Sequence, residues 1–142
     1  KEYDHLWYLL AKREGKDYMT TFALDRIKEF KVTNNNCEDV SGFNADEYYD
    51  HAFGIAVPDG DVEDVLLEFV DWRGRYLLTA PIHKSQEFVE EKDGKIILKI
   101  KVIPFHELHS KILSYGDHVR VLSPEPLRLK IKELLQNTLE KY

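Results

Sequence analysis

The 142-residue chain has a single cysteine, Cys37, so no disulfide can form within it. That fits a reducing compartment, and a cytoplasmic protein is expected. Basic residues are outnumbered, 20 Lys and Arg against 26 Asp and Glu for a formal net charge of -6, which excludes a uniformly basic coat for nucleic acid. No apolar run approaches the ~20 residues needed to span a bilayer, so no membrane association is expected. Residue 1 is Lys rather than Met, and an apolar run begins within six residues. No signal peptide is therefore expected, and the chain reads as a piece of a longer protein.

Motifs of catalysis and metal binding are also missing. There is no Gly-rich phosphate loop and no Gly-x-Ser-x-Gly elbow. His106-Glu107-Leu108-His109 sets its histidines three apart, where the His-Glu-x-x-His zinc pattern needs four. Asp59-Gly60-Asp61 lacks the spacing of a calcium loop, and Cys37 has no second cysteine to share a metal. Neither metal nor cofactor is expected, and the protein is not expected to be an enzyme. A strongly perturbed acid–base pair in a cleft would reopen that question.

What is present suffices for a compact core: 43% hydrophobic, 12% aromatic and 32% charged residues. At ~150 residues per domain the length allows one ordinary domain or two very small ones. Charge divides the chain unevenly. Residues 1–33 hold 7 bases and 6 acids, residues 34–57 hold 5 acids and no base, and residues 58–142 hold 13 bases and 15 acids. Turn residues cluster in the acidic stretch (Asn34-Asn35-Asn36, Ser41-Gly42) and just after it (Pro58-Asp59-Gly60). Three parts follow: a small unit at 1–33, an acidic connector at 34–61, and a larger unit at 62–142.

Period-2 patterning predicts three strands in the first unit, at Leu6–Ala11, Tyr18–Leu24 and Ile27–Thr33, with a hairpin turn at Glu14-Gly15-Lys16-Asp17. In the connector, Asn44 is placed to cap a short helix over Ala45–Ala52. The larger unit reads as a strand at Val62–Val70, a helix at Trp72–Thr79 weakened by Gly74, and strands at Gln86–Glu91 and Ile96–Ile103 joined through Asp93-Gly94. A helix from Pro104 to Gly116 follows, with Leu108, Ile112 and Leu113 on one face. Then come a strand at His118–Leu122 and a last helix with Leu127, Ile131, Leu134 and Leu135 on one stripe. The order β-α-β-β-α-β-α is the split βαβ, ferredoxin-like pattern with an added helix.

Trp7-Tyr8-Leu9 within His5–Ala11, followed by Phe22-Ala23-Leu24-Asp25-Arg26-Ile27, resembles the WYL domain, which takes its name from such a Trp-Tyr-Leu run. Val65–Phe69, Asp93-Gly94, Leu113–Gly116 and Val121–Pro124 leading into Leu127-Arg128 resemble the extension that follows that domain. The resemblance implies an α+β chain: a partial Sm-like (SH3-like) β-barrel whose missing strands precede Lys1, then the ferredoxin-like unit. It also implies the effector-sensing region of a bacterial transcriptional regulator. Such a region would take a nucleotide, an oligonucleotide or another small ligand, and would reach DNA only through a domain outside this chain. The family's second strand commonly has arginines where this chain has Thr20 and Ala23, which removes charge from a phosphate-binding groove.

The candidate ligand-binding residues are Trp7, Tyr8, Leu9 and Arg26, with Arg73 and Arg75 as a second wall. An aromatic ring offers a stacking platform, and a guanidinium fork suits a phosphate or carboxylate. Each has a plainer alternative. Trp7 and Leu9 can fill the barrel while Tyr8 caps its rim, and Arg26 can pair with Asp25 or Glu29. Arg73 and Arg75 can lie solvated over a buried Trp72 and Tyr76. His5, Lys12 and Arg13 are further candidates for the rim. An alternative function is a ligand-free module that holds a homodimer together, favoured if Leu129 or Leu139 proves exposed.

Overall fold

The computed structural model describes residues 1–36 and 42–142; Cys37 and Ser41 lie outside them. It is an α+β fold with two antiparallel sheets and four α-helices among the described residues.

The first sheet has the order β1 (Glu2–Tyr3), β2 (Leu6–Lys12), β3 (Met19–Ala23). Asp4 and His5 turn β1 into β2 with positive φ at both positions, a conformation Asp and His tolerate better than most residues. His5 is thus a turn residue. Gly15 at φ 72° serves the β2–β3 connection. The expected strand at Ile27–Thr33 is absent. A short 3-10 turn over Leu24–Arg26 carries the chain away from β3, leaving Phe30 and Val32 at 88% and 86% exposure. Alternation there marks two solvent-facing sides, not a buried and an open one. β3 consequently forms the sheet's outer edge. No described residue of 1–36 is buried.

Asn44 caps α1, its side-chain oxygen accepting from the amides of Asp46 and Glu47, but the helix ends at Tyr48. The connector then runs alongside the larger unit, where the Ile103 amide donates to the His51 carbonyl.

The larger unit follows the order β4 (Glu63–Val70), α2 (Asp71–Thr79), β5 (Glu87–Lys92), β6 (Lys95–Val102), α3 (His106–Ser114), β7 (Val119–Ser123), α4 (Glu125–Leu139). Its sheet has the order β5-β6-β4-β7, with every neighbouring pair antiparallel. Asp93 and Gly94, both at positive φ, make the tight β5–β6 turn. Register places Val65, Leu67 and Phe69 opposite Ile100, Leu98 and Ile96, so one face of the central pair is wholly apolar. Leu77 of α2, Leu108 and Ile112 of α3, and Leu127 and Ile131 of α4 close over that face. Leu135, expected on the buried stripe, is instead 51% exposed; Leu134 occupies the inward position. Trp72 and Tyr76 are also exposed rather than core, because α2 turns Gly74 and Leu77 toward the sheet.

Candidate ligand cleft

Strand alternation decides which side chains of the first sheet can meet. Tyr8 pairs with Ala23 and Leu10 with Thr21, so these four share one face. Leu9 pairs with Phe22, and Trp7 stands beside Leu9 on the opposite face, 60% exposed. Trp7 and Leu9 therefore neither fill a barrel nor approach Tyr8.

On the Tyr8 face lies a cleft of about 400 Å³. Tyr8, Thr21, Phe22, Ala23, Arg26 and Ile27 line it from the first sheet and the turn beyond, Phe22 although its side chain alternates to the other face, and Ile55 and Ala56 line it from the connector. Among the described residues Arg26 is the only charged one in the lining. The 3-10 turn sets Arg26 at its edge, where the guanidinium has no hydrogen bond or ion pair among the described residues; neither Asp25 nor Glu29 is its partner. Of the six candidate residues, Tyr8 and Arg26 converge, and Trp7, Leu9, Arg73 and Arg75 stand outside the cleft. Arg75 pairs with Glu91 at 2.6 Å, and Arg73 lies 5.1 Å from the Trp72 ring centroid and 5.9 Å from that of Tyr115. Lys12 pairs with Asp17 at the hairpin turn.

The connector side of the cleft is fixed by a residue the sequence did not single out for this purpose. Glu107, in the first turn of α3, accepts the Ile55 amide at 2.9 Å and the Ala56 amide at 3.3 and 3.2 Å. A Cβ on Gly54 would stand 2.5 Å from the Glu107 carboxylate, so a larger residue there would displace that flexible chain end. The Gly54 carbonyl in turn accepts from Lys1 Nζ at 3.1 Å, and that ammonium lies 3.8 Å from the centroid of the Tyr49 ring. Burial, aided by the charge of Lys84, holds the Lys1 pKa below its usual value, with Glu107 opposing. The first sheet, the connector and α3 thus meet around Gly54–Ala56. Glu107 had a visible signal only as a neighbour of two histidines, and its partners lie about fifty residues away in sequence.

A second cleft, about 520 Å³, is lined by Lys1, Tyr49, His83 and Lys84. Its cations are already engaged: Lys84 with Asp50 at 2.6 Å, Lys1 with Tyr49 and Gly54. His83 Nδ1 lies 2.7 Å from Ser85 Oγ, and burial pushes its pKa down. The open face of the larger sheet presents Leu66 and Glu68 of β4, Lys95, Ile97, Lys99 and Lys101 of β6, and Arg120 of β7. Among the described residues of these strands no aromatic ring stands on this face. Most of its charges pair with one another, Glu68 with Lys95 and Arg120, and Lys99 with Glu87. Among the described residues no group of three His, Cys, Asp or Glu side chains is placed to hold a metal ion, and no helix is long and apolar enough to cross a membrane.

A four-stranded antiparallel sheet backed by three helices, with a separate small sheet beside it, makes this an α+β fold. Residues 61–139, more than half of the chain, match the WCX domain, and the chain belongs to that family, a WYL-associated C-terminal domain. The solved structure of proteasome accessory factor B/C (PafBC) of Arthrobacter aurescens is similar with a TM-score of 0.43 and 21% identity. That likeness covers 92% of this chain and 20% of that one, so the chain spans about a fifth of its length. No curated protein matches.

Proposed function

We propose that this chain is the effector-sensing region of a transcriptional regulator, with the cleft at Tyr8 and Arg26 as its receptor site. In this reading residues 1–33 are part of a WYL barrel of the Sm-like type, 34–61 a connector, and 62–142 a ferredoxin-like WCX extension. DNA is reached through a domain outside the chain, in the cytoplasm. The observation that carries the reading is the shared ownership of the cleft. One side belongs to the first sheet, and the other is tied by Glu107 to α3 of the larger unit. A ligand filling it touches both and favours one relative placement of the two, which is the unequal affinity any allosteric effector requires. A thermal-shift screen of nucleotides, short single-stranded oligonucleotides and small organic acids tests this. At least one class stabilises the wild type and fails to stabilise Arg26→Ala. A screen without such a ligand sinks the proposal.

A second reading has its own support. Leu129, Leu135 and Leu139 are exposed on α4, so the larger unit has apolar surface with which to hold a homodimer. Light scattering separates the two readings: a dimer that persists at high salt, dissociates in Leu135→Lys and ignores every ligand supports a plain interaction module.

A further inference from the structure

The cleft's chemistry narrows what it receives; this inference rests on the effector reading above and specifies its ligand. Arg26 supplies one positive charge, and every other lining side chain is apolar or a neutral hydroxyl. A guanidinium without a partner among the described residues is an incomplete ion pair. Its planar fork matches a carboxylate through two parallel hydrogen bonds, a geometry an ammonium does not offer. Around it, Ile27, Ile55, Ala56 and the methyl of Ala23 form walls that favour hydrocarbon over water, and Tyr8 adds a ring. At about 400 Å³ the space lies near the lower end of the range for small-molecule sites. A strand of nucleic acid requires a series of cations along its phosphates, each adding affinity by releasing counterions. Here the series has one member.

We propose that the cleft binds a small organic monoanion, a carboxylate carried on an apolar and preferably aromatic body, rather than a polyanionic strand. The guanidinium holds the carboxylate at the rim, and the body lies inward between Tyr8 and the Ile55–Ala56 segment. The anion's single charge is neutralised once, and no second charge is brought against the apolar walls, where it would remain desolvated and unpaired.

The test is titration calorimetry on the full chain with phenylacetate, 4-phenylbutyrate, phenylacetamide and a short oligothymidylate, each at low and high salt. The carboxylates bind and the uncharged amide does not. Affinity falls at least tenfold in Arg26→Ala and is only partly kept in Arg26→Lys, which retains the charge without the fork. Arg26 is exposed and has no partner among the described residues, so both variants fold, as far-UV circular dichroism verifies. If the oligonucleotide alone binds, in an Arg26-dependent way and with log K falling about 0.7 per phosphate against log salt, the cleft is an effector site but not for this class. Carboxylates that bind Arg26→Ala as tightly as the wild type overturn the assignment. If no probe binds at all, the carboxylate assignment is overturned, and the effector reading is then decided by the nucleotide arm of the thermal-shift screen.

Discussion

At the scale of single residues, Glu107 and Gly54 are the positions on which the cleft depends. The carboxylate satisfies two backbone amides that would otherwise lie half-buried without an acceptor. Hydrogen bonds to a charged group contribute about 1.5–3 kcal/mol when sheltered, and less at this partial exposure. Glu107→Ala is expected to speed hydrogen exchange at the Ile55 and Ala56 amides tenfold or more while those of β4 and β6 stay protected. Glu107→Gln, which keeps one acceptor oxygen, falls between. Gly54→Ala pushes the same carboxylate away and gives the Glu107→Ala pattern although Glu107 is intact. Unchanged exchange in all three variants refutes the clamp. Residue types alone show how partial sequence reading is at this scale. Tyr8 and Arg26 stood out as chemistry-bearing side chains, yet nothing in the Trp-Tyr-Leu run says which alternate face meets Arg26. The connector wall was illegible altogether, because an amide donor leaves no mark in its own side chain.

At the scale of elements, patterning was most informative where a buried face was at stake. The β4, β6, α3 and α4 segments were legible because their apolar residues recur with period 2 or 3.6 against a real core. The Ile27–Thr33 segment alternates just as well, but with no partner strand and no core beneath it the pattern had nothing to report. Gly74 is a related case. It weakens α2 by propensity, roughly 1 kcal/mol against Ala, and reads as a flaw in the sequence. In the fold, a Cβ there would meet the Ile96 Cβ at 2.9 Å and the Phe69 Cβ at 3.2 Å. Neither atom sits at the end of a flexible chain, so α2 would have to lift from the sheet. Gly74→Ala is therefore expected to lower the melting temperature by several degrees despite its better helix propensity. A rise would show that the helix has room to move.

At the scale of the whole molecule, pH reports on burial. His83 sits in the loop between α2 and β5, and His109 on α3. Burial lowers both pKa values from 6.5, helped at His83 by Lys84 and at His109 by Lys130 and His106, while the Ala52 carbonyl and Asp50 oppose the shift at His83. The unfolded chain thus takes up protons near pH 6.5 that the native state resists. Stability is complete above that pH and declines as pH falls through 6.5 toward the native values. Melting temperature is expected to drop between about pH 7.5 and 5.5, and less so in a His83→Gln/His109→Gln variant. An equal drop in that variant would assign the effect elsewhere. Carboxylates such as Asp50, depressed by Lys84, titrate in a separate and more acid window.

The two sheets also end differently at their margins. β5 closes its sheet with Glu87, Glu90, Glu91 and Lys92 and a break in register, a border that repels a stranger's backbone. β3 closes the other with Met-Thr-Thr-Phe-Ala, uncharged and regular. Its amides and carbonyls, unclaimed among the described residues, are a standing invitation to any extended peptide, so in concentrated solution the molecule should stick to its neighbours there first, and a lysine introduced at Thr20 should keep such solutions clear.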